Sequence, residues 1–298
     1  SDVIKDYLLI PVHDIEVDPV RVTQSSKRFI HILDQLFTQG GGDCPEKTVT
    51  GIIRALEAAR PNSFIYVFTD ASAKDYKDID LVHELIQKKM SQVTFVLTGM
   101  CNGTDDPGFK VYQDIATMSS GQVYNIKKGQ VKYFMKTIEK SLEGGRVHVL
   151  SEDSEADKKT YTFPVDSHIK TITIYVTNQN DKEKINVVIR DPKGRKYMEA
   201  EGLQRLMQHV PSVFVGSVNQ PVTGNWNLEV TTKSKSHSVR ISGVSNVDFI
   251  QGFSPAEVRN NDKTSLRPLK GVNNYMMANM TGGFPGNIDY FSILQVNG

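Results

Sequence analysis

At residue 146 the periodicity of this sequence changes, and that change limits the folds open to it. Before it, near-unbroken apolar runs alternate with stretches whose apolar residues recur at helical spacing; after it the period falls to two and helix signals nearly vanish. Helices packed on the faces of a sheet account for the first pattern, and a mainly antiparallel β structure for the second. A chain of 298 residues has room for about two domains. The expected division is an α/β domain at residues 1–145, a β-sandwich at 146–252, and the start of a further β domain at 253–298.

Within the first part, residues 7–12 and 20–23 read as a hairpin across the Asp18-Pro19 turn, and residues 27–37 and 49–59 as amphipathic helices. FIYVF (64–68) and VTFVL (93–97) have the composition of parallel strands buried on both faces. Helices are expected at 79–90, 109–117 and 131–142, with a strand at 122–126, and Gly144-Gly145 ends the last helix. This is an open, doubly wound pattern. In the second part VHVL, YTFPV, IKTITIYVT, KINVVIRD, SVFVGSV, WNLEVTT and HSVRISGV are short alternating strands between turn clusters such as Asp191-Pro192-Lys193-Gly194, as in an antiparallel sandwich. Residues 201–209 (EGLQRLMQH) are expected to add a helical turn or two. Past Gly252 a polar stretch leads into GVNNYMMANMTGGFPGNIDYFSILQV, read as the opening strands of a further domain.

Charge and composition remove several function classes. Lys plus Arg total 35 against 34 Asp plus Glu, and a net charge of +1 offers nucleic acid no strong counterion-release attraction. With 39% hydrophobic and 23% charged residues the chain can bury a core. No apolar run approaches the ~20 residues of a membrane span. The start, SDVIKDYLLIPVHD, shows no basic cap or cleavage site of a signal peptide, so the N-terminus does not report a compartment.

The most informative local feature is FIYVFTDAS, where a buried strand ends in Thr69 and Asp70. Ligands of open α/β sheets sit outside the carboxyl ends of the strands, so Asp70 falls at the expected crevice. A carboxylate there suits a hard divalent cation, or equally a cap on backbone donors of the next segment. The loop QGGGDCPEKT (39–48) is a second segment over the same crevice, with oxygens from Asp43, Glu46 and Thr48. It lacks the Gly-Lys-Ser/Thr ending of a phosphate loop and also reads as a helix linker capped by Asp43 or Thr48. Cys44 lies in this loop, and Cys101 directly follows the strand VTFVLTG at the same edge. The pair is open to three readings. A disulfide would close a loop of 56 intervening residues, worth about 4 kcal/mol in the chain-entropy model, and would imply an oxidising compartment. Alternatively both are buried free thiols, or Cys44 is a nucleophile activated by the nearby helix start.

Asn102-Gly103-Thr104 and Asn279-Met280-Thr281 match the N-glycosylation acceptor pattern, and Asp105 and Asp106 beside the first read as solvated loop charges or, alternatively, as cation ligands. Trp226, the one tryptophan, shares a strand face with Leu228 and Val230 as a sandwich core aromatic does. The seven histidines show no metal-ligand spacing.

FIYVFTDA, GGGDCPE, SQVTFVLTG and SSGQVYNI resemble a von Willebrand factor type A domain. With SVRISGVSNVDFIQGFS and the intervening sandwich, they resemble the N-terminal region of hemicentins, over nearly the whole chain. These are large extracellular-matrix proteins in which an A domain and a galactose-binding-like domain precede many immunoglobulin domains. A smaller secreted protein of the same architecture shares the resemblance. The resemblance implies a secreted protein of the matrix or basement membrane that binds matrix or cell-surface proteins. It also implies Mg²⁺ or Ca²⁺ at a metal-ion-dependent adhesion site, for which Asp70 matches the ligand ending the fourth strand and Asp43 stands near the position of a threonine. The Asp-x-Ser-x-Ser strand of that site does not occur in this sequence, so the A-domain sheet is expected to lack its first, central strand and to bind metal weakly. The family's association with calcium is not placed at residues of this chain.

The resemblance therefore implies a non-enzymatic matrix or adhesion module. One rival is a doubly wound hydrolase or phosphotransferase using Asp70 or Cys44. Another is a glycan-binding sandwich using exposed aromatics such as Tyr175 or Tyr197.

Overall fold

The computed structural model describes residues 5–37, 44–142, 144–234, 236–265 and 268–281. Asp43, the three glycines before it and residues 282–298 lie outside the described residues.

β1 (Tyr7–Leu9) and β2 (Arg21–Thr23) pair antiparallel, with Leu8 opposite Val22. α1 (Ser26–Asp34) begins at Ser25, whose hydroxyl accepts from the Arg28 amide at 3.3 Å. α2 (Thr48–Ala58) is capped differently from the sequence expectation. Thr48 is a buried residue of its first turn, and the orphan amides of Val49 and Thr50 donate instead to the Asp75 carboxylate, at 3.1 and 2.6 Å. A distant carboxylate thus supplies the cap that Lys47, at the cap position, does not.

β3 (Phe64–Thr69), α3 (Ile79–Lys89), β4 (Gln92–Leu97), α4 (Pro107–Met118), β5 (Val123–Asn125) and α5 (Val131–Ser141) complete the α/β part. Its sheet is parallel, in the order β3-β4-β5. β3 pairs with β4 alone among the described residues, and β1 and β2 form a sheet of their own. Along β4 the pleat divides the side chains between two cores. Val93, Phe95 and Leu97 face α2, α3 and α4, where Phe95 stacks on Tyr112 with ring centroids 4.7 Å apart. Val96 points the other way, toward α5 and Phe134.

The β part comprises β6 (Arg146–Ser154), β7 (Lys158–Val165), β8 (Ile169–Thr177), β9 (Asn186–Arg190), β10 (Leu203–Arg205), β11 (Val213–Asn219), β12 (Gly224–Thr231) and β13 (His237–Ser245). A five-stranded sheet, β10-β11-β8-β13-β6, faces a three-stranded one, β7-β12-β9, and all pairings are antiparallel. Trp226, Leu228, Phe163, Ile172 and Ile174 are fully buried between them, and the Trp226 indole donates to the Val222 carbonyl at 2.8 Å. The helical turns expected at 201–209 do not form. A 3-10 turn spans Glu199–Glu201, Gly202 takes φ +108°, and the chain enters edge strand β10, where Leu203 reaches the sandwich core. That burial overrides the local helical spacing. Beyond the sandwich, β14 (Asp248–Ser254) and β15 (Tyr275–Thr281) form an antiparallel pair.

The two parts share a core. On β8, Ile172, Ile174 and Val176 face the sandwich interior, whereas Tyr175 faces the α/β sheet; on β11, Val213 and Val215 do the same. These side chains pack with Met207 and Val210 against Val96, Tyr124, Ile126 and Phe134. Tyr175 is therefore 6% exposed, not the solvent-facing aromatic expected from sequence, because its strand is central and both faces are covered. Polar bonds fix the register of this junction. Arg146 Nη1 donates to Gln92 Oε1 at 3.3 Å with its guanidinium over the rings of Phe64 and Tyr175, and Asn125 Nδ2 donates to the Gln179 carbonyl at 2.9 Å.

The carboxyl-edge rim as candidate functional site

The carboxyl ends of β3 and β4 carry the residues that the sequence singles out, and the backbone holds them together. The segment after β3 is bonded on two sides: Glu46 N donates to the Ser72 carbonyl at 2.9 Å, and Ala73 N to the Gly108 carbonyl at 3.0 Å. Tyr112, buried in α4, donates its hydroxyl to the Ala71 carbonyl at 3.1 Å. Burial pushes the Tyr112 hydroxyl well above its ordinary range, so it remains a donor. Gly99 passes so close to Asp70 that a Cβ there would meet the Asp70 carbonyl oxygen at 2.6 Å. Only glycine allows the approach.

Cys44 and Cys101 are joined by a disulfide, with Cα atoms 5.5 Å apart. The sulfur of Cys101 accepts from Ser72 N at 3.2 Å, so the bridge ties the loop before α2 to the segments following both β3 and β4. This removes the free-thiol reading and, with it, a Cys44 nucleophile: the sulfur that would attack is already bonded.

Asp70 is 54% exposed and its carboxylate lies 3.0 Å from the Lys128 ammonium, just before α5. Thr69 Oγ1 donates to Glu46 Oε2 at 3.4 Å and accepts from Ala71 N at 3.1 Å. Burial raises the Glu46 carboxyl; the Thr69 hydrogen bond opposes this, and Asp70 and Asp14 reinforce it. The rim is thus acidic, with Lys128 as counter-charge. Asp106 is the N-cap of α4, accepting from Gly108 N at 2.7 Å and from Asn102 Nδ2 at 2.8 Å, while fully exposed Asp105 pairs with Lys110 at 3.6 Å. Asn102 is exposed on the rim loop, and Asn279 is exposed on β15, far along the chain. Tyr197 packs edge-on against Trp226 with centroids 5.1 Å apart. Sequence reasoning missed Asp75 and Lys128. The latter had a signal in the Lys127-Lys128-Gly129 run that follows the last parallel strand.

Comparison with known proteins shows what the chain is similar to. Residues 1–128 match the model of the von Willebrand factor A domain, and residues 146–246 that of the hemicentin galactose-binding domain-like family. The chain is 40% identical to Hemicentin-1 of Homo sapiens over 295 residues, covering 98% of its own length. Over almost its whole length the chain is similar to hemicentins, and its two matched regions follow the same order of domains. It is 39% identical over 300 residues to Hemicentin-2 of Mus musculus, and 26% identical over 292 residues to von Willebrand factor A domain-containing protein 7 of Rattus norvegicus, of which it covers 32%. It spans 5% of the length of Hemicentin-1. Hemicentins are secreted, structural and adhesive proteins of the extracellular matrix.

Domains of the A type often carry a metal-dependent adhesion site. Among the described residues the donors present do not assemble one. Asp70 is engaged by an ammonium group, Asp43 lies outside the described residues, and among the described residues no group of three His, Cys, Asp or Glu side chains could hold a metal ion.

Proposed function

We propose that this chain is a non-catalytic binding module of the extracellular matrix that holds a protein partner at the carboxyl-edge rim and thereby attaches cells or basement membrane. The observation that carries this reading is the Cys44–Cys101 bridge, which pins two loops of the rim around Asp70. A rim held rigid before binding loses less conformational freedom when a partner docks. A disulfide of this kind also belongs to an oxidising compartment. The exposed positions of Asn102 and Asn279 support both as glycan acceptors in a secreted chain.

The test is retention of the chain on immobilised basement-membrane extract, compared with Asp70→Ala and with the reduced, alkylated protein. The reading expects both to lose at least tenfold in apparent affinity. Equal retention of all three would sink it. Enzymatic removal of N-glycans from chain secreted by animal cells should lower its mass at both asparagines.

A further inference from the structure

The chain carries a surplus of only one positive charge, yet residues 127–142 (KKGQVKYFMKTIEKSL) hold five lysines against one glutamate. Lys128, Lys132, Lys136 and Lys140 recur every four residues, which on a helix keeps successive side chains on one slowly turning stripe. The structure puts this run on the outside of the molecule. Phe134, Thr137 and Ser141 are the buried residues of α5, and Lys127, Lys128, Lys132 and Lys136 are exposed, with Lys128 77% so. From Lys132 to Lys140 the stripe runs for about 12 Å along the axis. The Tyr133 ring lies beside it, 5.1 Å from the Lys132 ammonium and 5.9 Å from the exposed His209 ring.

We propose that this stripe is a binding surface for a sulfated glycosaminoglycan. A row of ammonium groups on flexible stems suits a linear polyanion, whose repeated sulfates meet successive charges as the two chains run together. Anionic membrane is the poorer occupant, because α5 spends its large aromatic, Phe134, on the core shared with the sandwich and so keeps no broad apolar face to enter lipid. Nucleic acid is poorer because the disulfide sets the chain in an oxidising compartment, where sulfated glycans are the abundant polyanions. Lys128 belongs to both surfaces, since it pairs with Asp70 on the rim, so the stripe is tested at Lys132 and Lys136, and the two readings fail separately: Asp70 variants act on matrix retention, Lys132 and Lys136 variants on glycan binding.

The test uses the 298-residue chain and fluorescein-labelled heparin, read by anisotropy at 50 and 150 mM NaCl. Lys132→Gln/Lys136→Gln is expected to weaken heparin binding at least tenfold and to flatten its salt dependence. Lys182→Gln/Lys184→Gln, which makes the same charge change on an exposed sandwich loop, is expected to leave binding within twofold. Independently of any variant, heparin should protect Lys132 and Lys136 of the unmodified chain from amine acylation read by mass spectrometry. Equal losses in both variants, no protection, unchanged binding to desulfated heparin, or tighter binding of phosphatidylserine vesicles or duplex DNA than of heparin would each overturn the proposal.

Discussion

Arg240, on β13 between β8 and the edge strand β6, grips Asp153 on β6 with both terminal nitrogens, at 2.8 and 3.1 Å, while its Nε donates to the carbonyl of Gly121 in the α/β part at 3.0 Å. Thr117, at the end of α4, donates to the same carboxylate at 2.6 Å. One buried guanidinium therefore bonds to both halves of the molecule. Burial by itself raises the Asp153 carboxyl, but the bonds and charge of Arg240, with Thr117 and Ser238, hold it below the usual carboxylate range.

Removing this grip should weaken both halves at once. Arg240→Leu leaves Asp153 without its partner; because Asp153 is 38% exposed, the cost falls below that of a fully buried pair, at about 2 kcal/mol. Differential scanning calorimetry should show one transition for the parent chain and one, several degrees lower, for the variant. Two well-separated transitions in the parent would contradict a shared core.

Stability should also fall in acid through Asp153. Its folded pKa lies below the unfolded value, so its contribution is complete above about pH 4 and is lost as pH drops through the folded value. Denaturant titrations between pH 2 and pH 5 should show this loss, and Arg240→Leu should reduce its size.

His237 acts over a higher window. It is 3% exposed and bonds Tyr161 at 2.7 Å, and burial first, then the Lys159 charge, lower its pKa below the ordinary imidazole value. The unfolded chain takes up the proton first, so stability falls as pH drops from about 6.5 toward the folded pKa. His237→Gln should flatten that part of the profile. An unchanged slope would mean that the buried imidazole is not what titrates.

The bridge should matter to the rim and to stability alike. Cys44→Ser/Cys101→Ser removes the constraint on a loop with sequence separation 57 and should cost about 2–4 kcal/mol by urea denaturation.

Calorimetric titration with Mg²⁺ or Ca²⁺ should detect no affinity tighter than about 1 mM, since Lys128 already neutralises Asp70. Submillimolar binding abolished by Asp70→Asn would show that a cation displaces the ammonium.

Much of the layout was readable from sequence because burial writes itself into residue patterns. The runs at β3 and β4 announced parallel strands, and the alternation around Trp226 a sandwich strand, but only β4 is buried on both faces: β3, paired with β4 alone among the described residues, is half-buried and leaves Phe68 51% exposed. What escaped depends on partners far away in the chain. Asp75 caps α2 across 26 positions, so no local window contains both groups. Tyr175 looked solvent-facing because alternation tells which residues share a face, not what covers it. The helical spacing at 201–209 yielded to Leu203, whose burial on β10 outweighs local preference. At the site, Asp70 and both cysteines were legible from the sheet-edge rule, whereas Lys128 was not, since its approach depends on where α5 starts.

The alternation of Ile174 and Tyr175 on β8 has a mechanical consequence. One strand lends its two faces to two different cores, so neither half can rotate against the other without tearing side chains out of both. Tension entering at the disulfide-bound rim would pass through this strand to its neighbours and load their hydrogen bonds together rather than one by one. Under load such a joint behaves as a bracket and not as a hinge.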